Sequence, residues 1–212
     1  DYNLGILMEK LNAWNLADNT ILIFMSDNGK SGGGNNNVHG PTYNAGMKGM
    51  KGSAHEGGTR VPFFIRWPKH FTAGEKVDAL LNHYDILPTL AEIAGIDISD
   101  LPDLDGQSFL PYLKDNTYKN ADRYRFVHGG RWPLNPENAK GQKGSERWVG
   151  TPESSNPDSS IYKNCAVRNE QYRFVNNTEL YDVIADPGQK QNIAAEHPEV
   201  LLEMRKAYKQ WW

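Results

Sequence analysis

The feature that most constrains the fold of this chain is an apolar run, Ile21–Met25, that ends abruptly in the polar sequence S-D-N-G at residues 26–29. The run is short, nearly unbroken and rich in β-branched and large side chains. This pattern predicts a strand buried on both faces, as in the parallel sheet of an α/β protein. Ligands of open α/β sheets collect beyond the carboxyl ends of the strands. Asp27 and Asn28 would place two hard oxygen donors there, suited to Ca²⁺ or Mg²⁺.

A glycine- and asparagine-rich loop follows this strand and closes on two lysines, Lys48 and Lys51. A fixed ammonium group beside a divalent cation stabilises the negative charge that develops on an anionic ester. The pattern predicts a metal-assisted anion site, in which Asp27 and Asn28 hold the cation and Lys51 contacts the anion, with Lys48 at the rim. The local sequence also allows a simpler interpretation, in which the acid and the amide cap a turn and the lysines are solvated.

Three other features of the loop region are interpreted as structural. The Gly57-Gly58 pair is expected to serve backbone geometry, through positive φ or close packing. Glu56 and Arg60 are expected to form an ion pair that braces the loop. His55 is expected to be a structural residue.

The motifs S-D-N-G at 26–29 and K-G-S-x-x-E-G-G-x-R-V-P at 51–62 resemble the sulfatases of the alkaline-phosphatase-like superfamily. The resemblance continues, with similar order and spacing, in H-Y-D-I-L-P-T-L at 83–90, A-G-I at 94–96, D-G-Q-S at 105–108, E-L-Y-D at 179–182, D-P-G at 186–188 and N-I-A at 192–194. No single segment is specific, but their order across nearly the whole chain makes the resemblance strong.

The resemblance implies the C-terminal part of an alkaline-phosphatase-like sulfatase domain, which is an α/β fold with a mostly parallel sheet and flanking helices. A small α+β subdomain, with an antiparallel sheet and a C-terminal helix, is expected to follow it. The composition changes near Asp115, so residues 1–115 are expected to form the catalytic part and residues 116–212 the subdomain. The N-terminal half of the enzyme is expected to lie outside this chain, which alone would be inactive.

The activity implied by the resemblance is hydrolysis of sulfate esters, of sulfated sugars or aryl sulfates, by a formylglycine nucleophile and Ca²⁺. Asp27 and Asn28 would be half of the Ca²⁺ site, and Lys51 would contact the sulfate. His39 lies in the same loop region, and two interpretations stay open for it: contact with the leaving group or the sugar, or a place on the loop surface. Ca²⁺ takes six to eight oxygen ligands. The chain alone is therefore expected to bind Ca²⁺ weakly or not at all.

The nucleophile is the part of this chemistry that the sequence does not supply. The resemblance implies a C/S-x-P-S-R sequence, in which the cysteine or serine is oxidised to formylglycine. Cys165 is the single cysteine and is followed by A-V-R, so it does not match. It lies in an alternating strand pattern, where a free cysteine acts as a small apolar side chain. We therefore assign Cys165 no catalytic role, and no intrachain disulfide is possible.

Periodicity predicts the remaining elements. The predicted elements are a first helix with Leu4, Leu7, Leu11 and Trp14 packed on a sheet, strands at 61–67, 123–127 and 179–183, a hairpin of 161–168 and 171–175, a helix at 85–94 that Asp85 caps and Gly95 ends, and a last helix from Val200 to Trp211.

Charge and hydropathy exclude two classes of partner. The net charge is −3 and no block of Lys and Arg stands out, so nucleic acid is not expected as a partner. No apolar stretch approaches the ~20 residues of a membrane span. The family resemblance implies a periplasmic or secreted protein.

Two alternative functions stay open at this point. One is a phosphodiesterase or phosphonate-ester hydrolase of the same superfamily, which would differ mainly in the nucleophile. The other is a non-catalytic glycan-binding module, in which Trp132 or Trp148 stacks on a sugar. A structural role for these tryptophans, in which they pin their loop to the core, is the simpler interpretation.

Overall fold

The computed structural model describes residues 1–31, 43–115, 117–120, 123–129 and 160–212. His39, Trp132 and Trp148 lie outside the described residues, so the predictions for them stay predictions. The helices are α1 (Tyr2–Ala13), α2 (Glu56–Thr59), α3 (Ile86–Ala94), α4 (Leu110–Lys114) and α5 (Pro198–Trp211), with 3-10 turns at Ala17–Asn19 and His83–Asp85. The strands are β1 (Leu22–Met25), β2 (Phe63–Arg66), β3 (Arg125–His128), β4 (Cys165–Arg168), β5 (Tyr172–Val175) and β6 (Glu179–Asp182).

Contacts divide the chain into two compact units. The first unit comprises Asp1–Ser26 and Pro62–Ala121, and the second comprises Asp27–Val61 and Asp122–Trp212. The second unit therefore contains both the segment after β1 and the C-terminal sheet. The division of the protein into domains at residue 115 stays a prediction. None of the helices in the described ranges has the length and apolar character needed to cross a bilayer.

The predicted strand at Ile21–Met25 forms as β1, but its surroundings differ from the prediction. It pairs with β2 in antiparallel orientation, with Met25 opposite Phe63, instead of joining a parallel sheet. Phe24 and Phe64 lie opposite each other on one face and are 46% and 65% exposed. The prediction that this run is buried on both faces is thus wrong for this structure. The apolar pattern fixes the strand, whereas burial needs layers on both sides, and the described residues do not cover this face.

The predicted first helix also forms, as α1, without the predicted burial. No residue of α1 is buried, and Leu7 is 44% and Trp14 63% exposed. A spacing of three and four residues places apolar side chains on one helix face, but it does not supply the surface that covers them. The expectation that this stripe packs on a sheet is therefore wrong within the described residues.

The helix predicted at 85–94 is confirmed as α3, and Gly95 ends it in the left-handed region with φ +65°. Asp85 is buried ahead of the helix, but its carboxylate does not cap α3. It accepts hydrogen bonds from the backbone N–H groups of Asn82 at 2.8 Å and Gln107 at 3.0 Å. The carboxylate thus connects the 3-10 turn to the segment that leads into α4.

The second unit contains the predicted antiparallel sheet, with strand order β3-β4-β5-β6. The predicted hairpin is confirmed, with Arg168 opposite Arg173, and β6 pairs with β5 as expected. Its first strand starts at Cys165 and not at Ile161, because the preceding residues form a turn in which Asn164 has φ +53°. The structure confirms the small antiparallel sheet and the C-terminal helix.

The two faces of this sheet are covered by different parts of the chain. On one face, Met204 and Tyr208 of α5 are fully buried against Cys165, Phe174 and Leu180. Burial raises the pKa of the Cys165 thiol above its ordinary value, as expected for a structural cysteine. Alternate strand residues face the opposite side. There a second cluster, Ala166, Val175, Tyr181 and Val183, packs with Ala54 from the predicted site region.

Candidate functional site

The segment that leaves β1 packs backbone to backbone against the Gly57-Gly58 pair. The N–H of Gly29 donates to the carbonyl of Gly58 at 2.9 Å. A Cβ added at Gly29 would lie 2.0 Å from the carbonyl oxygen of Gly57, far inside van der Waals contact. The close approach therefore requires glycine at position 29, and it fixes where Asp27 and Asn28 enter the loop.

Gly57 and Gly58 are also required by close packing, as predicted. A Cβ at Gly57 would lie 2.4 Å from the carbonyl oxygen of Gly49, and one at Gly58 would lie 2.1 Å from that of Ser53. Neither glycine has a positive φ. Of the two explanations offered by the sequence, close packing is the correct one.

The backbone of Lys51 contacts the segment that carries the predicted metal ligands. The N–H of Lys51 donates to the carbonyl of Lys30 at 2.8 Å. Lys51 and Asp27 are both exposed and Asn28 is half-buried, with its Nδ2 donating to the carbonyl of Gly29 at 3.0 Å. The structure thus joins the two predicted segments through their backbones, and the roles of the three side chains stay predictions.

A buried carboxylate, Glu56, connects this region to the C-terminal sheet. Its Oε1 accepts from Nη1 of Arg173 at 2.6 Å and from Nε of Arg168 at 3.1 Å, and Glu56 is only 3% exposed. Burial alone would raise the pKa of Glu56, but the charges of Arg173 and Arg168 outweigh it and hold the pKa below its ordinary value. The predicted pair with Arg60 is present, but it is long, at 3.9 Å, and its arginine is exposed.

Arg173 also binds the backbone of the loop that Glu56 ends. Its Nε donates to the carbonyl of Ala54 at 2.8 Å, and its Nη2 donates to the same carbonyl and to Oγ1 of Thr59 at 2.8 Å. Sequence reasoning missed Arg168 and Arg173. The predicted hairpin was a partial signal, since two arginines opposite each other need a counter-ion when buried, but it does not identify the residue that supplies the counter-ion.

Two further side chains that the sequence analysis missed hold the same loop. Oδ1 of Asn164 accepts from the N–H of Ala54 at 2.8 Å, and Nδ2 donates to the carbonyl of Gly52 at 2.7 Å. Oε1 of Gln189 accepts from the N–H of Glu56 at 2.8 Å. These partners are more than a hundred residues apart in sequence, so no local pattern could reveal them.

Lys48, predicted at the rim of the site, is held by the C-terminal sheet. Its Nζ donates to the hydroxyl of Tyr181 at 2.7 Å and lies 3.4 Å from Oε2 of Glu179. Burial opposes the charged form, but Tyr181 and Glu179 outweigh it and raise the pKa of Lys48. His55 packs edge-on against Tyr181, and burial, followed by the charge of Lys48, lowers its pKa. These contacts connect Lys48 and His55 to the C-terminal sheet, and the place of Lys48 at the rim of the site stays a prediction.

The donor set at the end of β1 matches part of a calcium site. A carboxylate and an amide supply oxygen ligands of the right chemistry, but Ca²⁺ takes six to eight. No group of three or more His, Cys, Asp or Glu side chains that could hold a metal occurs in the described part of the chain. Asp27 and Asn28 therefore fit the ion as two ligands of a larger set.

Comparison with known proteins identifies related sequences. The sulfatase family model matches residues 1–96. An N-acetylgalactosamine-6-O-sulfatase of Bacteroides thetaiotaomicron is 32% identical over 210 residues, which cover 96% of this chain and 38% of the relative. The steryl-sulfatase of Homo sapiens is 30% identical over 148 residues, or 66% of this chain and 25% of that protein. This chain thus spans well under half the length of these relatives.

Solved structures show the same relationship. The crystal structure of Ps i-CgsB in complex with k-i-k-neocarrahexaose superposes with a TM-score of 0.73 at 27% identity. The match covers 98% of this chain and 39% of that chain. Nearly all of the present fold, including the C-terminal sheet, therefore has a counterpart within a larger protein.

Proposed function

Because this chain belongs to the sulfatase family, we propose that the complete protein hydrolyses sulfate esters and that its substrate is a sulfated carbohydrate. A relative named N-acetylgalactosamine-6-O-sulfatase and a related structure in complex with neocarrahexaose support this substrate class. Aryl sulfates are the alternative class. The structural observation that carries the proposal is a backbone hydrogen bond of 2.8 Å, from the N–H of Lys51 to the carbonyl of Lys30. It joins the segment that carries the Lys51 ammonium to the segment that carries Asp27 and Asn28.

The proposed roles follow from the chemistry of the three side chains. Asp27 and Asn28 would supply a carboxylate and an amide oxygen to Ca²⁺, and Lys51 would donate hydrogen bonds to the sulfate group. The bound ion would supply positive charge beside the sulfate oxygens. The ammonium of Lys51 would add a second fixed positive charge, which stabilises the sulfate most when negative charge shifts onto the leaving oxygen. Within this chain Lys51 is exposed, so none of the described residues covers its side chain.

We place the nucleophile, expected as formylglycine, in an N-terminal segment outside this chain. Cys165 is fully buried and burial raises the pKa of its thiol, which makes it a poor nucleophile. On this proposal we expect the chain alone to be inactive and the complete protein to hydrolyse sulfate esters.

The test of the proposed function is the variant Lys51→Ala in the complete protein that contains this chain. We expect kcat/KM for 4-nitrophenyl sulfate and for 6-sulfated N-acetylgalactosamine to fall by about 10² to 10³, as for the loss of one charge-stabilising donor. The control is Lys206→Ala, an exposed lysine on α5, which should leave both rates unchanged. Unchanged hydrolysis in Lys51→Ala would contradict the role of Lys51. Faster hydrolysis of bis(4-nitrophenyl) phosphate than of either sulfate would favour a phosphodiesterase.

The affinity for Ca²⁺ should differ between this chain alone and the complete protein. Titration calorimetry of the chain alone should show no tight stoichiometric Ca²⁺ binding, because Asp27 and Asn28 are two ligands of the six to eight required. The complete protein should bind one Ca²⁺ at this site, and Asp27→Ala should weaken binding there. Tight binding by the chain alone would contradict the proposed division of the ligands.

We also propose that the protein acts outside the cytoplasm, in the periplasm or the medium. The support is the family resemblance together with the substrate class, since a polyanionic carbohydrate does not cross a bilayer unaided. Cell fractionation tests this directly. Recovery of the complete protein in the cytoplasm of its native cells would contradict it.

A further inference from the structure

One side chain in the turn before β4 contacts the backbone on the C-terminal side of Lys51. Asn164 precedes β4 and has φ +53°, a left-handed conformation that asparagine adopts more readily than most residues. Its Oδ1 accepts from the N–H of Ala54 at 2.8 Å and its Nδ2 donates to the carbonyl of Gly52 at 2.7 Å. The amide thus uses its donor and its acceptor on the same short segment.

This segment needs an external anchor because of its own sequence. Lys51 lies between Gly49 and Gly52, which have φ values of +83° and +84°, and glycines leave the backbone many alternative conformations. On the other side, the N–H of Lys51 donates to the carbonyl of Lys30. The segment is therefore held at two places, by the backbone of Lys30 at Lys51 itself and by the side chain of Asn164 at Gly52 and Ala54.

We propose that Asn164 is a positioning residue for Lys51, which it acts on through the backbone of Gly52 and Ala54. The inference rests on the proposed function, in which the Lys51 ammonium contacts the sulfate group. A shift of about 1 Å in a group that binds the reacting atoms can lower the rate by about 10². Asn164 itself contacts neither substrate nor metal in this scheme.

The structure offers a clean substitution and a matched control. Asn164→Gly keeps a residue that tolerates positive φ and removes both hydrogen bonds to the segment. Asn177 also has a positive φ, of +68°, and within the described residues its Oδ1 has no hydrogen-bond partner. Asn177→Gly keeps its backbone carbonyl, which accepts from Nη2 of Arg205 at 2.8 Å. The two variants therefore differ in whether the segment after Lys51 loses an anchor.

Hydrogen exchange measures the anchor directly. In the complete protein, exchange of the Ala54 amide should accelerate at least ~10-fold in Asn164→Gly, since its acceptor is removed. Asn177→Gly should change that rate less than ~3-fold. Equal exchange of Ala54 in wild type and Asn164→Gly would overturn the inference.

Kinetics then separate positioning from general stability. With 4-nitrophenyl sulfate, kcat should fall by about 10- to 100-fold in Asn164→Gly, with KM within ~3-fold, and should not change in Asn177→Gly. In a Lys51→Ala background, Asn164→Gly should have no further effect, because the group that it positions is gone.

The outcomes distinguish a failure of this inference from a failure of the proposed function on which it rests. If Lys51→Ala leaves kcat unchanged, the proposed function of Lys51 is wrong, and the positioning role is overturned with it. If Lys51→Ala is slow but Asn164→Gly matches Asn177→Gly, or lowers kcat equally in both backgrounds, only the positioning role is overturned.

Discussion

Substitution of the buried carboxylate Glu56 by glutamine is the most informative test of how the loop is held. Glutamine keeps the size of the side chain and removes the charge that faces Arg173 at 2.6 Å and Arg168 at 3.1 Å. The buried guanidinium group of Arg173 would then lose its counter-ion, and Arg168 would keep only the charge of Asp182. Breaking a buried pair in this way is destabilising by about 3 to 5 kcal/mol. We therefore expect Glu56→Gln to lower the free energy of opening of the C-terminal sheet by this amount.

Native-state hydrogen exchange of β4 and β5 provides the assay, because it reports the opening of this sheet separately from the rest of the chain. A loss of 3 to 5 kcal/mol corresponds to protection factors lower by about two to four powers of ten. The matched control is Arg60→Ala, which removes an exposed arginine 3.9 Å from the same carboxylate. Exposed pairs contribute about 0 to 1 kcal/mol, so protection should change only a few-fold.

The result that would refute this reasoning is equal behaviour of the two variants. If Glu56→Gln leaves the protection of β4 and β5 within ~3-fold of wild type, the buried cluster does not stabilise the sheet. If Arg60→Ala matches Glu56→Gln, burial is not what sets the strength of the pair. Either outcome would remove the argument that Arg168 and Arg173 hold the loop through a shared carboxylate.

The same cluster predicts a dependence of stability on pH. The pKa of Glu56 in the folded protein lies below its ordinary value near 4.5. Its contribution to stability is therefore fully present above pH ~4.5 and is lost as pH falls through the folded pKa. Acid unfolding followed by circular dichroism should show this loss in wild type, and the loss should be smaller in Glu56→Gln. An identical acid transition in both proteins would contradict the prediction.

Two further predictions concern packing and buried polar groups. Gly29→Ala would place a methyl group 2.0 Å from the carbonyl oxygen of Gly57 and should destabilise the protein by at least about 1 to 3 kcal/mol in thermal unfolding. Gly5→Ala in α1, where a Cβ meets open space, should instead stabilise the protein by about 0.5 to 1 kcal/mol. A loss of stability in Gly5→Ala would contradict this reasoning. Thr89→Val should destabilise by about 1 to 3 kcal/mol, because the N–H of Phe109 loses the Thr89 hydroxyl at 2.9 Å. Thr89→Ser keeps that hydroxyl, and equal loss in both variants, by chemical denaturation, would refute the assignment.

The elements whose pattern is local could be predicted from the sequence. Alternation predicted the hairpin of β4 and β5, and Gly95 ended α3 as expected of a left-handed C-cap. The Gly57-Gly58 pair was correctly assigned to backbone geometry, because few other roles require two adjacent glycines. In each case the physical cause lies within a few residues of the pattern.

The contacts that hold the candidate site could not be predicted in the same way. Asn164 and Arg173 bind the loop of Ala54 across more than a hundred residues, and nothing near them in sequence indicates their partners. Burial was overpredicted because it too depends on distant segments. The stripe that includes Leu7 specifies an apolar face on α1, yet the surface that covers a face is a property of other segments.

The most direct test of the account is a crystal structure of the complete protein with Ca²⁺ and a sulfate ester or sulfate ion. We expect a carboxylate oxygen of Asp27 and the amide oxygen of Asn28 within about 2.3 to 2.6 Å of the ion. The Nζ of Lys51 should lie within about 3.2 Å of a sulfate oxygen of the same ligand. A well-ordered site in which Asp27 and Lys51 point away from each other and contact different ligands would contradict the account.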